Sequence, residues 1–183
     1  AASVGHMRLL PYAEQYALRN TGQTGGTAGE DVRAVTAWAT TRGLGVRIAV
    51  VDDAIEVLHQ DLEPNVVAGG SFSYRTASLG SAYPLPCAAD DDHGTAVAGV
   101  AAARDGNAIG VSGVAPRASL VGYSALATRF DADIADALSR GLADNGVYNN
   151  SWGSPDDGMV NPAEATFRNA IEAGLANGRG GKD

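Results

Sequence analysis

Two groups of residues in this chain have the types and spacing for acid–base chemistry. In "VRIAVVDDAIEVLHQDL" the apolar run Ile48 to Val51 ends on two carboxylates, Asp52 and Asp53. Forty-one positions after Asp52, "DDDHGTAVAG" places His93 directly behind Asp90, Asp91 and Asp92. An imidazole whose Nδ1–H is held by a carboxylate has a fixed tautomer and a free Nε2 lone pair, as a general base requires. At a helix N-terminus that imidazole feels positive potential, which disfavours its protonated form, and a bound carboxylate opposes the effect. Plainer readings stand beside this one. Acidic residues often make the turn after a strand, and a lone histidine is often a packed or surface residue. A third acidic pair, Asp156-Asp157, lies between Pro155 and Gly158 and is also a good turn sequence.

The elements that must position these groups follow from the pattern. Val46–Val51 is β-branched without polar alternation, which predicts a strand buried on both faces. "VRAVTAWA" predicts a short helix capped by Asp31, after the Gly/Thr-rich loop Arg19 to Asp31. Residues 71–92 have no period and are expected to be mostly loop. "HGTAVAGVAAA", small and apolar, predicts a helix closely packed on all sides, and "ASLVGYSAL" a second buried strand. Ile134, Leu138 and Leu142 share a helical face, with Asp131 as cap and Gly146 as stop. "VYNNSW" predicts a third strand. Asn161, Pro162 and Glu164 form a helix-start signature ahead of the apolar face Phe167, Ala170, Ile171, Gly174 and Leu175. Strands alternating with helices imply a parallel sheet covered on both faces, with ligands beyond the carboxyl ends of its strands. Asp52-Asp53 and Ser151-Trp152 both fall at such ends.

Composition narrows the function. The 183 residues carry a net charge of -8, and their 13 Lys and Arg form no basic block, so no nucleic-acid partner is expected. No apolar run reaches the roughly 20 residues of a membrane helix, and no membrane partner is expected. The single cysteine, Cys87, excludes a disulfide within the chain. Residues 1–7, with Gly5-His6-Met7, read as the remnant of an expression tag, leaving residues 8–183 as the folding unit.

Four stretches together, "VRIAVVDDAIEVLHQDL", "DDDHGTAVAGVAAA", "GVSGVAP" and "NNSWGSPDDG", resemble the subtilisin superfamily of serine proteases, from about Tyr12 to Gly181. They are most similar to its kexin and furin branch, in which a second Asp follows the catalytic one and Asp-Asp-Gly follows the Ser-Trp-Gly segment. The resemblance implies an α/β fold, a subtilisin-like parallel β-sheet with helices on both faces, incomplete in this chain. Asp52 and His93 match the triad's orienting acid and its base, in the order known for subtilisins. Ser151, Trp152 and Gly153 match the segment that pairs with the substrate backbone, and Leu126 an apolar wall of the cleft. Asp53 and Asp90 match carboxylates that receive a basic residue just before the cleaved one. Asp156 matches the acid at the base of the pocket for the cleaved Arg or Lys. Asp61, the Asn107 side chain and the carbonyls of Arg104, Ile109 and Val111 match an oxygen-only Ca2+ site.

The resemblance has gaps. Ala54 stands where the family usually carries Gly, and Leu occupies the position in "RLLPY" of a further calcium carboxylate. No residue matches the nucleophilic Ser or the oxyanion Asn, because Ser124 is in strand context and Ser151 matches a substrate-binding position. The expected reading is the N-terminal part of a calcium-dependent, kexin-like serine endopeptidase, secreted or periplasmic, acting on peptides or proteins with basic residues. Its expected partner is a C-terminal fragment of the same domain carrying the Ser. Two alternatives remain: an inactive peptide-binding fragment, and a metallohydrolase built on Asp52, Asp90 to Asp92 and His93, which only 3 His in the chain do little to support.

Overall fold

The computed structural model describes residues 14–75, 82–154, 157–158 and 162–180. Its centre is a three-stranded parallel sheet in the order β2-β1-β3. Strand β1 (Arg47–Val51) pairs with β2 (Ser119–Tyr123) on one side and β3 (Val147–Asn149) on the other, with Val51 opposite Tyr123 and Val50 opposite Asn149.

Alternation along β1 divides the core in two. Ile48 and Val50 join Leu120, Ile55 and Leu62 beneath α2 (His93–Ala102), whose Ala98 and Ala102 pack on them. Ala49 and Val51 join Val121 and Tyr123 on the opposite face, under Ala137 and Leu138 of α3 (Asp131–Ser139) and Ala170 of α4 (Ala165–Asn177). A β-branched run without polar alternation is the pattern this position requires, since both faces of β1 are dry. Each fully buried Val, Leu or Ile here contributes about 1.5–3 kcal/mol. Order 2-1-3 makes the β1/β3 boundary the point where successive crossovers leave in opposite directions. A crevice beyond the carboxyl ends of the strands opens there.

Several boundaries differ from the sequence expectations. Helix α1 is a single turn, Ala34–Ala37, with Arg33 at its cap in the left-handed region (φ 55). The Asp31 carboxylate instead accepts the N–H groups of Arg33 (2.6 Å) and Asn20 (2.7 Å), closing the Gly/Thr-rich loop. Helix α3 stops at Ser139 rather than near Gly146; beyond it, buried Asn145 donates to the Arg140 carbonyl and the Tyr123 hydroxyl. Helix α4 begins at Ala165 with Glu164 at its cap, three residues after the expected start at Pro162; Asn161 lies outside the described residues. Helix α2 is not buried on all sides, because Ala96 and Val100 are exposed. The second strand ends at Tyr123 and passes into a 3-10 turn, Ala125–Ala127.

Candidate active site

Asp52 follows the last residue of β1, and its backbone N–H donates to the Tyr123 carbonyl (3.0 Å), so the strand pairing carries this side chain to the crevice. His93 is the first residue of α2. The two meet at 2.9 Å, Asp52 Oδ1 to His93 Nδ1, with the carboxylate 1% and the imidazole 55% exposed. Gly94 lets them meet: a Cβ there would lie 2.6 Å from Asp52 Cβ. Ala54, where the family usually has Gly, is fully buried and is not among the residues with positive φ, so the methyl group is accommodated without strain.

The electrostatics match the geometry. Burial pushes the Asp52 carboxyl above the ordinary range, while its bond to His93 pulls it back. The Asp52 bond raises His93 above the usual histidine value against partial burial, and the charges of Asp53 and Asp92 add to the rise. Asp52 Oδ1 also accepts the Asp53 N–H (2.8 Å), and Oδ2 finds no partner among the described residues.

The other acidic residues have separate tasks. Asp53 is half-buried and accepts backbone N–H groups from Ala54, Gly94 and His93. Asp91 is held bidentately by Arg75 (2.6 and 2.8 Å) and accepts the N–H groups of Cys87 and Ala88. It clamps the loop ahead of α2, and its carboxyl is held below the ordinary range chiefly by Arg75. Asp90 is exposed beside it. Arg75 carried no signal in the sequence, because its role exists only once residues 75 and 91 are adjacent. Asp156 lies outside the described residues.

After β3 the chain is pinned by Trp152, whose indole N–H donates to the Val51 carbonyl (2.8 Å) and whose ring meets Phe167 edge-on. Trp152 and Gly153 line an open cleft of about 660 Å3 together with Leu126, whose N–H donates to the Asp52 carbonyl (3.1 Å). Ser151 is exposed just ahead and accepts from the Asn149 amide (2.9 Å). Asp131 and Glu164 also line this cleft. In the sequence they carry only helix-start signals, and nothing local distinguishes a capping acid from one that also borders a cleft.

The expected calcium residues gather in part. Asp61 is fully buried, with Oδ1 accepting from the Asn107 amide (2.7 Å) and Oδ2 from the Val111 N–H (2.7 Å). The Asp61 carbonyl accepts the Arg104 N–H (2.8 Å), and the Ile109 N–H donates to Asn107 Oδ1 (3.3 Å). Gly110, at φ +58, brings the loop so close that a Cβ would collide with the Asp61 carboxylate. Asp61 has no ion-pair partner among the described residues, but both its oxygens are held by N–H donors, so a cation at this loop would have to displace the Asn107 amide and the Val111 N–H. No group of three His, Cys, Asp or Glu able to hold a metal occurs among the described residues, which counts against a metallohydrolase centre at Asp52 and His93. Gln15 fastens the N-terminal segment to this loop, exchanging two hydrogen bonds with the Ser112 backbone (2.8 and 3.0 Å).

Comparison with known proteins converges on one family. Residues 43–181 match the subtilase family of peptidases. Neuroendocrine convertase 2 of Homo sapiens is 39% identical over 182 residues, covering 93% of this chain and 27% of that protein. The Drosophila melanogaster convertase of the same name is 38% identical over 176 residues, covering 91% and 26%. The chain thus spans about a quarter of the length of these relatives. Among solved structures, the serine protease of Aeromonas sobria in complex with its chaperone superposes with a TM-score of 0.74 at 36% identity, covering 87% of this chain and 28% of that one.

Proposed function

The chain belongs to the subtilase family, and from that premise we propose that Asp52 and His93 are the orienting acid and the general base of a serine endopeptidase that cleaves after basic residues. The single observation that carries this reading is the 2.9 Å contact of Asp52 Oδ1 with His93 Nδ1 at the carboxyl end of β1. With Nδ1–H committed to Asp52, neutral His93 presents its Nε2 lone pair. It takes the proton of a serine hydroxyl as that oxygen bonds to the scissile carbonyl carbon. It then returns the proton to the departing amine as the C–N bond breaks. Among the described residues no hydrogen bond joins His93 to a serine, and the proposed nucleophile comes from another segment of the whole protein. By this proposal residues 1–183 alone are inactive and depend on that segment as a partner.

The segment Ser151 to Gly153 supports substrate binding as an added strand, and Leu126 and Trp152 as apolar walls. Asp53, Asp90 and Asp156 are proposed to receive basic side chains, and Asp131 and Glu164 add negative charge to the cleft lined by Leu126 and Trp152. A bound Ca2+ would be held by Asp61, Asn107 and the carbonyls of Arg104, Ile109 and Val111. It would contribute structural stability to the loop between α2 and β2. A secreted or periplasmic location is part of this proposal; among the described residues no helix is long and apolar enough to cross a membrane. Cleavage profiling of the whole protein on a peptide library tests the reading. Cleavage after Arg or Lys is the expected result, and a preference for large apolar residues refutes the basic specificity. The alternative of an inactive peptide-binding chain predicts binding of basic peptides with no turnover in the whole protein.

A further inference from the structure

Helix α2 has an unusual beginning. The residue at its N-cap position, Asp92, makes no side-chain capping bond. The first N–H groups of a helix have no partner within it and need an acceptor from elsewhere. Here the acceptor comes from the neighbouring strand end. Asp53 Oδ1 accepts the Gly94 N–H at 2.8 Å and Asp53 Oδ2 the His93 N–H at 3.3 Å, across 41 and 40 positions of sequence. Oδ1 also accepts the Ala54 N–H at 2.5 Å, which fixes the carboxylate's own orientation.

We propose that Asp53 is a positioning residue for His93, a helix cap supplied from just beyond the end of β1 that fixes where α2 presents the imidazole. The adjacent aspartates then divide the work. Asp52 holds the ring through Nδ1, and Asp53 holds the backbone from which the ring projects. Because they are neighbours at one strand end, the distance between ring partner and backbone partner is set by a single peptide unit. Thr95 secures the same turn through a separate contact, its Oγ1 accepting the Glu56 N–H at 2.9 Å. The bonds to Asp53 are charge-assisted, about twice as strong as neutral ones. The acidic groups facing His93 are Asp52, Asp53 and Asp92, so removing Asp53 also weakens the field that favours its protonated form.

The inference rests on His93 being the base, and its test separates the two. In the whole protein, Asp53→Ala and Asp53→Asn are compared by amide hydrogen exchange at His93 and Gly94, and by kcat and KM on two peptides. The peptides differ only in carrying a basic or a neutral residue before the cleaved one. Asp53→Ala is expected to speed exchange at Gly94 at least about 10-fold and to lower kcat by about 10–100-fold on both peptides. Asp53→Asn keeps an acceptor oxygen. It is expected to recover kcat to within about 10-fold of the parent, to exchange at an intermediate rate, and to shift the acid limb of the rate profile to lower pH. Unchanged exchange in both variants overturns the proposal. So does a change confined to KM for the basic peptide, which leaves Asp53 a substrate carboxylate alone. If Asp53→Ala fails to fold, the exchange rate and the rescue in Asp53→Asn decide the matter. Should the parent protein hydrolyse nothing, the protease reading fails, while the exchange data still accept or reject the cap.

Discussion

Replacing Gly94 by Ala tests how closely α2 must approach β1 for the acid–base pair to exist. The added Cβ would lie 2.6 Å from Asp52 Cβ and 3.1 Å from its Cγ, and would also press on the Ala54 carbonyl. Carbon atoms rest at roughly 3.5–4.0 Å, so the helix must retreat by roughly 1 Å. Neither obstacle can swing aside, since one is backbone and the other is the root of a fully buried side chain. A retreat of that size opens the 2.9 Å bond between Asp52 and His93 to roughly 3.9 Å, outside hydrogen-bond range. Overpacking of this kind costs about 1–3 kcal/mol of stability, and misplacement of a catalytic group by about 1 Å costs on the order of 10²-fold in rate. Urea denaturation and steady-state kinetics of the whole protein measure both. A Gly94→Ala variant with the parent's denaturation midpoint and turnover would refute the claim that a bare Cα is needed at this contact.

Other outcomes follow from the same geometry. Removing the base in His93→Ala is expected to lower kcat by on the order of 10⁴ or more; near-normal turnover would remove His93 from the mechanism. Because the bond to Asp52 raises His93 above the usual histidine value and only the neutral imidazole accepts a proton, the acid limb of kcat/KM is expected at higher pH than an unpartnered histidine would give. Asp52→Asn should move that limb down, and a pH–rate series reads both. Asp61→Ala strands the Asn107 amide and the Val111 N–H, at about 1–3 kcal/mol for each donor, seen as a lower melting temperature. Chelation of calcium is expected to lower the parent's melting temperature and leave that of Asp61→Ala unmoved, whereas an identical parent curve in chelator would count against the calcium site.

Much of the scaffold was legible along the chain because it depends on local regularities. A β-branched run without alternation specifies a strand dry on both faces, and Arg47–Val51 is that strand. A histidine followed by glycine and small apolar residues specifies a helix that packs close to a sheet, and α2 begins at His93 as expected. Leu126 and Trp152, singled out by the family motifs, line one cleft, and the parallel register of β1 with β2 and β3 brings them against the backbone of Asp52 and Val51. Helix ends were less legible. Asp31, Asp131 and Glu164 are all acceptable caps in isolation, yet Asp31 closes its own loop through the Asn20 and Arg33 N–H groups, α3 starts at Asp131 with Phe130 at its cap, and Glu164 caps α4 by position without a side-chain bond.

By itself, then, the sequence determined which side chains could do chemistry and which strand and helix carry them, since residue type, period and capping act over a few positions. Only the tertiary structure decided how the carboxylates divide their work. Asp52, Asp53, Asp90, Asp91 and Asp92 are chemically alike, and nothing in their order says which binds the imidazole, which caps α2 and which meets Arg75. That choice depends on distances of a few ångströms between residues 16 to 41 positions apart. Such distances are set by sheet register and by the close approach at Gly94, and they do not exist until the chain has folded.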